Sequence, residues 1–179
     1  AVKQNFDDWV GPTKAECHQL VTESGAVKPV TLQELEKMPG YRDMELAPSK
    51  LVATVKSPNG KRKARIVICG NLVTKAHEDG NKTQATPVTA ADLYAGGADA
   101  TAIRCMVRKT AMMDGWDMGV LDIKGAFLLA PRRREQECLM MTIPPKLLVQ
   151  AGICPPDERW VIQKAMYGLE TSPADWSSF

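Results

Sequence analysis

The sequence predicts a fold of the α+β class, and three observations carry this prediction. Two strand-like runs, 51–55 and 62–69, flank Ser57-Pro58-Asn59-Gly60, which contains an Asn-Gly hairpin signal. Apolar residues at helical spacing follow from Ile103 onward. The run 116–123 then alternates like a strand and carries Asp122 near its end. The 179 residues are enough for one medium domain, or for a subdomain with part of another.

The elements before the hairpin are weakly marked. Residues 1–29 are polar and weakly periodic, which predicts a loose lead-in. A capping box at Thr31 and Glu34 predicts a short helix that ends at Pro39-Gly40. We therefore expect residues 1–49 to be a partly flexible lead-in with a short helix, and residues 50–179 to form the main domain.

The second strand of the hairpin has an organised basic face. The period of two puts Lys61, Lys63 and Arg65 on one face, opposite an apolar face of Ala64, Ile66 and Ile68. The segment from Lys56 to Lys75 contains no acidic residue, although the whole chain has a net charge of only +2. Such a segment indicates a surface that faces phosphate, and an ordinary solvated face is an equally open interpretation.

Further elements follow the hairpin. The stripe of Ile103, Met106, Val107 and Ala111 predicts a helix that packs into the core. Strands are predicted at 116–123, 138–143 and 160–165, and a short helix at 146–150. Ser172-Pro173 predicts a helix start with an N-cap serine and proline at the first helical position.

Composition argues against several classes of protein. The five cysteines are widely spaced without a CxxC motif, which disfavours a zinc site and suggests free thiols in a reducing compartment. No apolar run is long enough to span a bilayer, so we expect no membrane partner. Neither GxxxxGK[ST] nor GxGxxG occurs, which disfavours a P-loop NTPase or a kinase.

Four segments carry a resemblance to a known family. They are, in order, Lys56…Gly60…Lys63-Ala64-Arg65-Ile66-Val67…Gly70, then Ile103-Arg104, then Leu121-Asp122-Ile123-Lys124-Gly125-Ala126-Phe127-Leu128, then Tyr167-Gly168-Leu169…Ser172-Pro173…Trp176. The ordered set resembles the reverse transcriptase of copia-type LTR retrotransposons over about residues 50–179. The resemblance implies a right-hand polymerase fold, with fingers and a partial palm built from an antiparallel sheet with packed helices. It also implies DNA synthesis from dNTPs on an RNA or DNA template-primer, as part of a retrotransposon polyprotein.

The resemblance also implies roles for individual residues in catalysis with two Mg²⁺ ions. Asp122 would be the catalytic metal ligand, and the backbone carbonyl of Ile123 could add a second ligand. Gly125 and Ala126 would let backbone N–H groups approach the triphosphate. Phe127 would pack below the deoxyribose and exclude a ribose 2′-hydroxyl; its alternative is an ordinary core phenylalanine.

The remaining implied contacts lie on the hairpin and after the last strand. The triphosphate would be neutralised by a basic hairpin residue, and the sequence leaves open whether this is Lys56, Lys63 or Arg65. Tyr167 and Gly168 would pack on the incoming nucleotide and the template base. The family implies cytoplasmic virus-like particles as the location, with later entry of the DNA product into the nucleus.

The chain departs from the family pattern at several positions. Leu128-Leu129 follows Phe127 where the family usually has Asn-Gly, and Glu170 replaces a lysine near the template. The family's second catalytic motif, an aromatic-x-Asp-Asp hairpin, would come after Trp176, so we expect these residues alone not to polymerise. A non-catalytic nucleic-acid-binding remnant of a decayed element is the main alternative, and a truncated product without function is a third.

Overall fold

A computed structural model describes residues 6–75, 88–133 and 139–179, and their fold is α+β. The helices are α1 (Asp7–His18), α2 (Leu32–Glu36), α3 (Ala90–Leu93), α4 (Ala100–Met112), α5 (Lys146–Gln150) and α6 (Ser172–Ser177). The strands are β1 (Val27–Thr31), β2 (Glu45–Leu46), β3 (Ser49–Lys56), β4 (Lys61–Ile68), β5 (Thr74–Lys75), β6 (Met140–Thr142) and β7 (Glu158–Ile162). None of the helices in these ranges is long and apolar enough to cross a membrane.

The larger sheet is mixed. Its strand order is β1-β7-β6-β2-β5, and all neighbours are antiparallel except β2 and β6, which run parallel. The α+β class is therefore confirmed, whereas the expectation of a purely antiparallel sheet is wrong at one pair. The right-hand polymerase arrangement stays a prediction.

The hairpin forms as predicted. Strands β3 and β4 make a separate two-stranded sheet whose register runs from Ser49 opposite Ile68 to Lys56 opposite Lys61. Ala64, Ile66 and Ile68 are buried, and Arg65 on the other face is exposed. The period of two in the sequence thus gives the correct orientation of the basic face.

The lead-in prediction for residues 1–29 is wrong over the described residues. Helix α1 continues into a π-helical turn (Gln19–Glu23), and β1 pairs along its length with β7. The buried side of α1 and its continuation consists of Trp9, Thr13, Glu16 and Leu20. Because two of these four residues are polar, hydrophobic periodicity could not reveal the helix. The division into a lead-in and a main domain at residue 50 stays a prediction.

The predicted strand at 116–123 is also wrong. These residues are not in a strand, and Val120 and Leu121 are 95% and 97% exposed. Alternation in sequence favours a strand only where a neighbouring strand can take up the backbone hydrogen bonds. Neither sheet of the described residues offers 116–123 such a neighbour.

Helix α4 is confirmed, but its predicted packing is not. Asp99 caps it, accepting a hydrogen bond from the Ala102 N–H at 3.1 Å. Ile103, Met106 and Val107 are 47–62% exposed, so the core-packing interpretation of the stripe is wrong for the described residues. The spacing of a stripe specifies a helix, but it does not specify what covers that helix.

The elements near the end of the chain agree with the sequence. Strands β6 and β7 and helices α5 and α6 lie at the predicted places, with ends shifted by a few residues; Cys138 lies outside the described residues. The capping box at Thr31 and Glu34 is present. One large core cluster joins α1, β4 and β7 to the segment 165–169, through buried residues such as Leu20, Ile66 and Trp160. This core fixes the hairpin next to Tyr167.

Candidate functional site

The segment Tyr167-Gly168 lies along the end of β4. The Ile68 N–H donates to the Tyr167 carbonyl at 2.7 Å, and the Gly70 N–H donates to the Gly168 carbonyl at 3.1 Å. Gly168 has a φ of +90°, and a Cβ there would lie 2.0 Å from the Ile68 carbonyl oxygen. Only glycine allows this approach. The two hydrogen bonds therefore fix the position of Tyr167 relative to the hairpin.

Three predicted site residues meet around Tyr167. The Arg65 guanidinium carbon lies 5.5 Å from the centroid of the Tyr167 ring, within the range of a cation–π contact. The Phe127 and Tyr167 ring centroids are 6.1 Å apart, with the rings tilted by 57°. Residues from three distant segments of the sequence thus form one small cluster, the Tyr167 cluster (Arg65, Phe127 and Tyr167).

Phe127 is held by a short 3₁₀ turn (Ala126–Leu129). The Leu128 N–H donates to the Gly125 carbonyl at 2.8 Å, and the Leu128 side chain is buried in the core. Gly125 has a φ of +67°, and a Cβ there would lie 2.9 Å from the Gln19 side-chain nitrogen. The positive φ is therefore the reason for glycine at 125, since the Gln19 side chain can move away from a Cβ, whereas the sequence suggested a close approach of phosphate.

A basic cleft of about 480 Å³ lies between α1 and the hairpin. We call it the α1–β4 cleft. Its basic lining residues are Lys56, Lys61, Arg62, Lys63 and Lys124. Its acidic lining residues are Glu16 and Glu23. The excess of positive charge suits an anion that carries several charges.

Glu16 is the buried acid of this cleft. Its Oε1 accepts a hydrogen bond from the Ile66 N–H at 3.2 Å. Burial raises the pKa of Glu16 above its ordinary value, although the Ile66 hydrogen bond and the charges of Lys63 and Arg65 act in the opposite direction. The pKa of Lys63 is lowered, first by burial and then by the neighbouring charges of Arg65 and Lys56. Positive charges crowd around Lys63, and an anion bound in the cleft would reduce their mutual repulsion.

The raised pKa of Glu16 predicts a pH dependence of stability. Between the ordinary pKa of a glutamate and the raised value, the unfolded chain loses the proton while the folded chain keeps it, so the free energy of unfolding falls as the pH rises. Glu16→Gln keeps an acceptor for Ile66 and removes this titration. In urea melts at pH 4 to 8, we expect the free energy of unfolding of E16Q relative to the unaltered protein to increase with pH. A constant difference across this range would contradict the prediction.

The predicted metal ligands are not part of this arrangement. Asp122 and Ile123 lie on the exposed segment that lacks strand structure. Among the described residues, no three His, Cys, Asp or Glu side chains are grouped so that they could hold a metal ion. Asp122 is free to be a ligand, but these residues by themselves do not fit a two-metal site.

The structure thus brings together most of the predicted site residues. Lys56 and Lys63 line the α1–β4 cleft, Arg65 and Phe127 contact Tyr167, and Gly168 anchors that residue. Sequence reasoning missed the acid of the cleft, Glu16, and also Gln19 and Lys124. The sequence did carry a signal for Lys124, because this residue directly follows Ile123 in the segment that resembles the family. Glu16 gave no signal, since a buried acid in a helix looks like a solvated residue in the sequence.

Comparisons with protein-family models, curated proteins and solved structures give no match to this chain.

Proposed function

We propose that this chain is the nucleotide-binding part of a copia-type retrotransposon reverse transcriptase, which adds dNTPs to a primer on an RNA or DNA template. The observation that carries the proposal is the Tyr167 cluster. Its three residues come from three of the four segments that resemble the family. Arg65 and Phe127 each lie within contact distance of Tyr167, although the three residues are 40 or more positions apart in sequence. A resemblance that arose by chance would not require these segments to meet.

The basic residues have different surroundings, which suggests different roles. Lys56 and Lys63 line the α1–β4 cleft, where they would neutralise the triphosphate. Arg65 faces Tyr167 instead, so its planar guanidinium would lie nearer to the base than to the phosphates. Among the three residues that the sequence left open, the lining of the cleft therefore favours the two lysines as the triphosphate contacts.

Phe127 supplies a flat surface next to Tyr167. The ring is half-buried, and the 3₁₀ turn fixes its backbone through the Leu128–Gly125 hydrogen bond. A fixed ring below the sugar would leave room for deoxyribose and collide with a 2′-hydroxyl, so it would select dNTPs over ribonucleotides.

In such an enzyme, two Mg²⁺ ions would stabilise the attacking and leaving oxygens of the phosphoryl transfer. Asp122 is the residue of this chain that we propose as a ligand. The cytoplasmic particle and the polyprotein that the resemblance implies belong to the same proposal.

The test is primer extension by a version of the chain that continues into an aromatic-x-Asp-Asp hairpin. We expect template-dependent dNTP incorporation, and we expect Asp122→Ala to reduce it by at least 10³-fold because a metal ligand is lost. Binding of the template-primer should stay within about twofold, since Asp122 is not part of the basic surface. The matched control is Asp117→Ala, because Asp117 is also exposed on the segment before Phe127 and its side chain accepts from the adjacent Met118 N–H at 2.8 Å.

Incorporation that survives Asp122→Ala would contradict the assigned catalytic role. Absence of synthesis in both versions would favour the second candidate, a non-catalytic nucleic-acid-binding module. The specific observation in its favour is that the basic cleft residues, including Lys61 and Lys124, form their surface without Asp122. That candidate predicts salt-dependent binding of single strands that weakens on Lys61→Ala.

A further inference from the structure

Helix α1 presents two carboxylates to the basic strand β4. Asp8 Oδ2 lies 2.8 Å from the Arg62 Nη2, in a pair whose side chains are about half exposed. The Arg62 guanidinium carbon also lies 6.0 Å from the centroid of the Trp9 ring. Two turns further along the helix, Glu16 reaches the same strand, but it is only 6% exposed. The two acids therefore contact β4 in different environments, one in solvent and one in the interior.

The surroundings of Glu16 are those of a bound anion. Its Oε1 accepts from the Ile66 N–H at 3.2 Å, and the charges of Lys63 and Arg65 act on it. A backbone N–H on a strand edge together with two cations is a typical arrangement for holding a phosphate or carboxylate. In this molecule a carboxylate of the chain itself occupies that arrangement, and it lines the α1–β4 cleft.

We infer that Glu16 regulates the affinity of the α1–β4 cleft for a polyphosphate: as a carboxylate it competes with phosphate for the cleft residue Lys63, and as the neutral acid it does not. This inference rests on the proposed nucleotide site, and it adds that a residue of the chain itself regulates the affinity of that site. The competition needs no movement of the backbone, because neutral Glu16 can still accept from the Ile66 N–H.

The direction of the pH effect follows from burial. Burial raises the pKa of Glu16, so protonation requires less acid than for an exposed glutamate. As the pH rises through this raised pKa, the carboxylate forms and the affinity for polyphosphate should fall. A proton at Glu16 and a polyphosphate in the cleft should therefore favour each other, and this coupling is reciprocal.

Other charged and titratable groups surround Glu16. Those that interact with it electrostatically are Lys63 and Arg65 of β4, Cys17 of α1, and Tyr167. Burial raises the pKa of Cys17 to about 12 and also raises that of Tyr167, so neither changes charge between pH 5 and 8. The other charged groups that line the cleft are Lys56, Lys61, Arg62, Lys124 and Glu23, and Glu23 pairs with His18 at 3.3 Å. All of them are retained when Glu16 alone is substituted.

The experiment compares the unaltered chain with Glu16→Gln by calorimetric titration with inorganic triphosphate between pH 5 and 8. At pH 8 we expect E16Q to bind about three- to tenfold more tightly, because one negative charge close to the phosphates is removed. As the pH is lowered, the two affinities should approach each other, because Glu16 becomes neutral. Because the titration of the triphosphate itself is common to both proteins, it cancels in their ratio. Asp7→Asn is the matched control, since it removes one exposed negative charge from the same helix outside the cleft; we expect a change below twofold.

The outcomes separate the inference from the proposed function. Equal binding of both proteins at every pH overturns the role of Glu16 and leaves the nucleotide site standing. Absence of binding in both proteins overturns the nucleotide site, and the inference with it.

A second measurement does not depend on the folding of a variant. In the unaltered chain labelled at glutamate carboxyl carbons, saturating inorganic triphosphate should raise the pKa of Glu16 observed by NMR. An unchanged pKa in the presence of bound triphosphate would overturn the inference.

Discussion

Gly168→Ala is expected to destabilise the protein by about 3–5 kcal/mol, from a left-handed backbone cost of ~1–2 kcal/mol plus two hydrogen bonds of ~1–1.5 kcal/mol each. The structural reason is the 2.0 Å that would separate the new Cβ from the Ile68 carbonyl oxygen. Because the nearest atom belongs to the backbone of Ile68 and cannot rotate away like a side chain, the clash is relieved only if the segment separates from β4. That separation would break the Ile68–Tyr167 and Gly70–Gly168 hydrogen bonds.

Such a loss approaches the whole stability of an ordinary domain, which is about 5–15 kcal/mol. Urea denaturation followed by tryptophan fluorescence would measure it. The matched control is Gly152→Ala, because Gly152 also has a positive φ, +64°, but a Cβ there would meet nothing within 4 Å. We expect this control to lose only the conformational cost, about 1–2 kcal/mol. Similar losses for the two variants would show that the contact with β4 is not what requires glycine at 168.

The same substitution bears on the candidate site. Tyr167 owes its position beside Arg65 to the two hydrogen bonds that Gly168 permits. A folded fraction of Gly168→Ala should therefore lose the contact between Tyr167 and Phe127 as well. The glycine of the Tyr-Gly pair is thus explained by packing against the hairpin, independently of any nucleotide.

Local signals in the sequence predicted the elements that depend on local chemistry. The hairpin forms because Asn59-Gly60 allows the turn, and Gly60 has the positive φ of +64° that this turn requires. Helix α2 begins at the Thr31 capping box, in which the Glu34 N–H donates to Thr31 Oγ1 at 3.2 Å. These interactions join residues two to three positions apart, so a short window of sequence contains them completely.

Elements that depend on distant partners could not be predicted in this way. The segment 116–123 has the alternation of a strand, yet it lacks a neighbouring strand among the described residues. Helix α1 was missed for the opposite reason, since its position depends on Glu16 and Thr13 being buried against other elements. Residue propensity and hydrophobic pattern predict secondary structure poorly where tertiary contacts determine which structure forms.

The candidate site was predictable only in part, because local motifs indicate some of its residues and tertiary packing brings in the others. Lys63, Arg65, Phe127 and Tyr167 were named from motifs, and the structure brings them to one side of the hairpin. Their arrangement around a buried glutamate depends on the packing of α1, which no motif records. The sequence thus indicated the cations of the cleft but not the internal anion that faces them.

Asp175→Ala is expected to destabilise the protein by about 2–3 kcal/mol, below the 3–5 kcal/mol typical of a fully buried pair because Arg133 is partly exposed. Asp175 is 3% exposed, and its Oδ1 accepts from both the backbone N–H and the Nε of Arg133 at 3.2 Å. Its Oδ2 accepts from the Thr171 hydroxyl at 3.2 Å. Removal of the carboxylate leaves these partly buried donors without their acceptor.

The exposed pair of Asp8 and Arg62 provides the matched control. Its N–O distance of 2.8 Å is shorter than the 3.2 Å of the Asp175 pair, but its side chains are 46% and 49% exposed. Asp8→Ala should therefore cost only about 0–1 kcal/mol, because solvent screens the charges and replaces the hydrogen bond. Urea denaturation of both variants, at low and at high salt, measures the contrast.

The consequence of Asp175→Ala should extend to Tyr167. Helix α6 begins at Ser172, and two residues separate it from the 167–169 segment. The Ser172 hydroxyl accepts from the Met166 N–H at 3.0 Å and donates to the Met166 carbonyl at 2.7 Å. Loosening of α6 therefore reaches the residue that precedes Tyr167. Equal losses of stability in Asp175→Ala and Asp8→Ala would contradict this account, because they would mean that burial does not distinguish the two ion pairs.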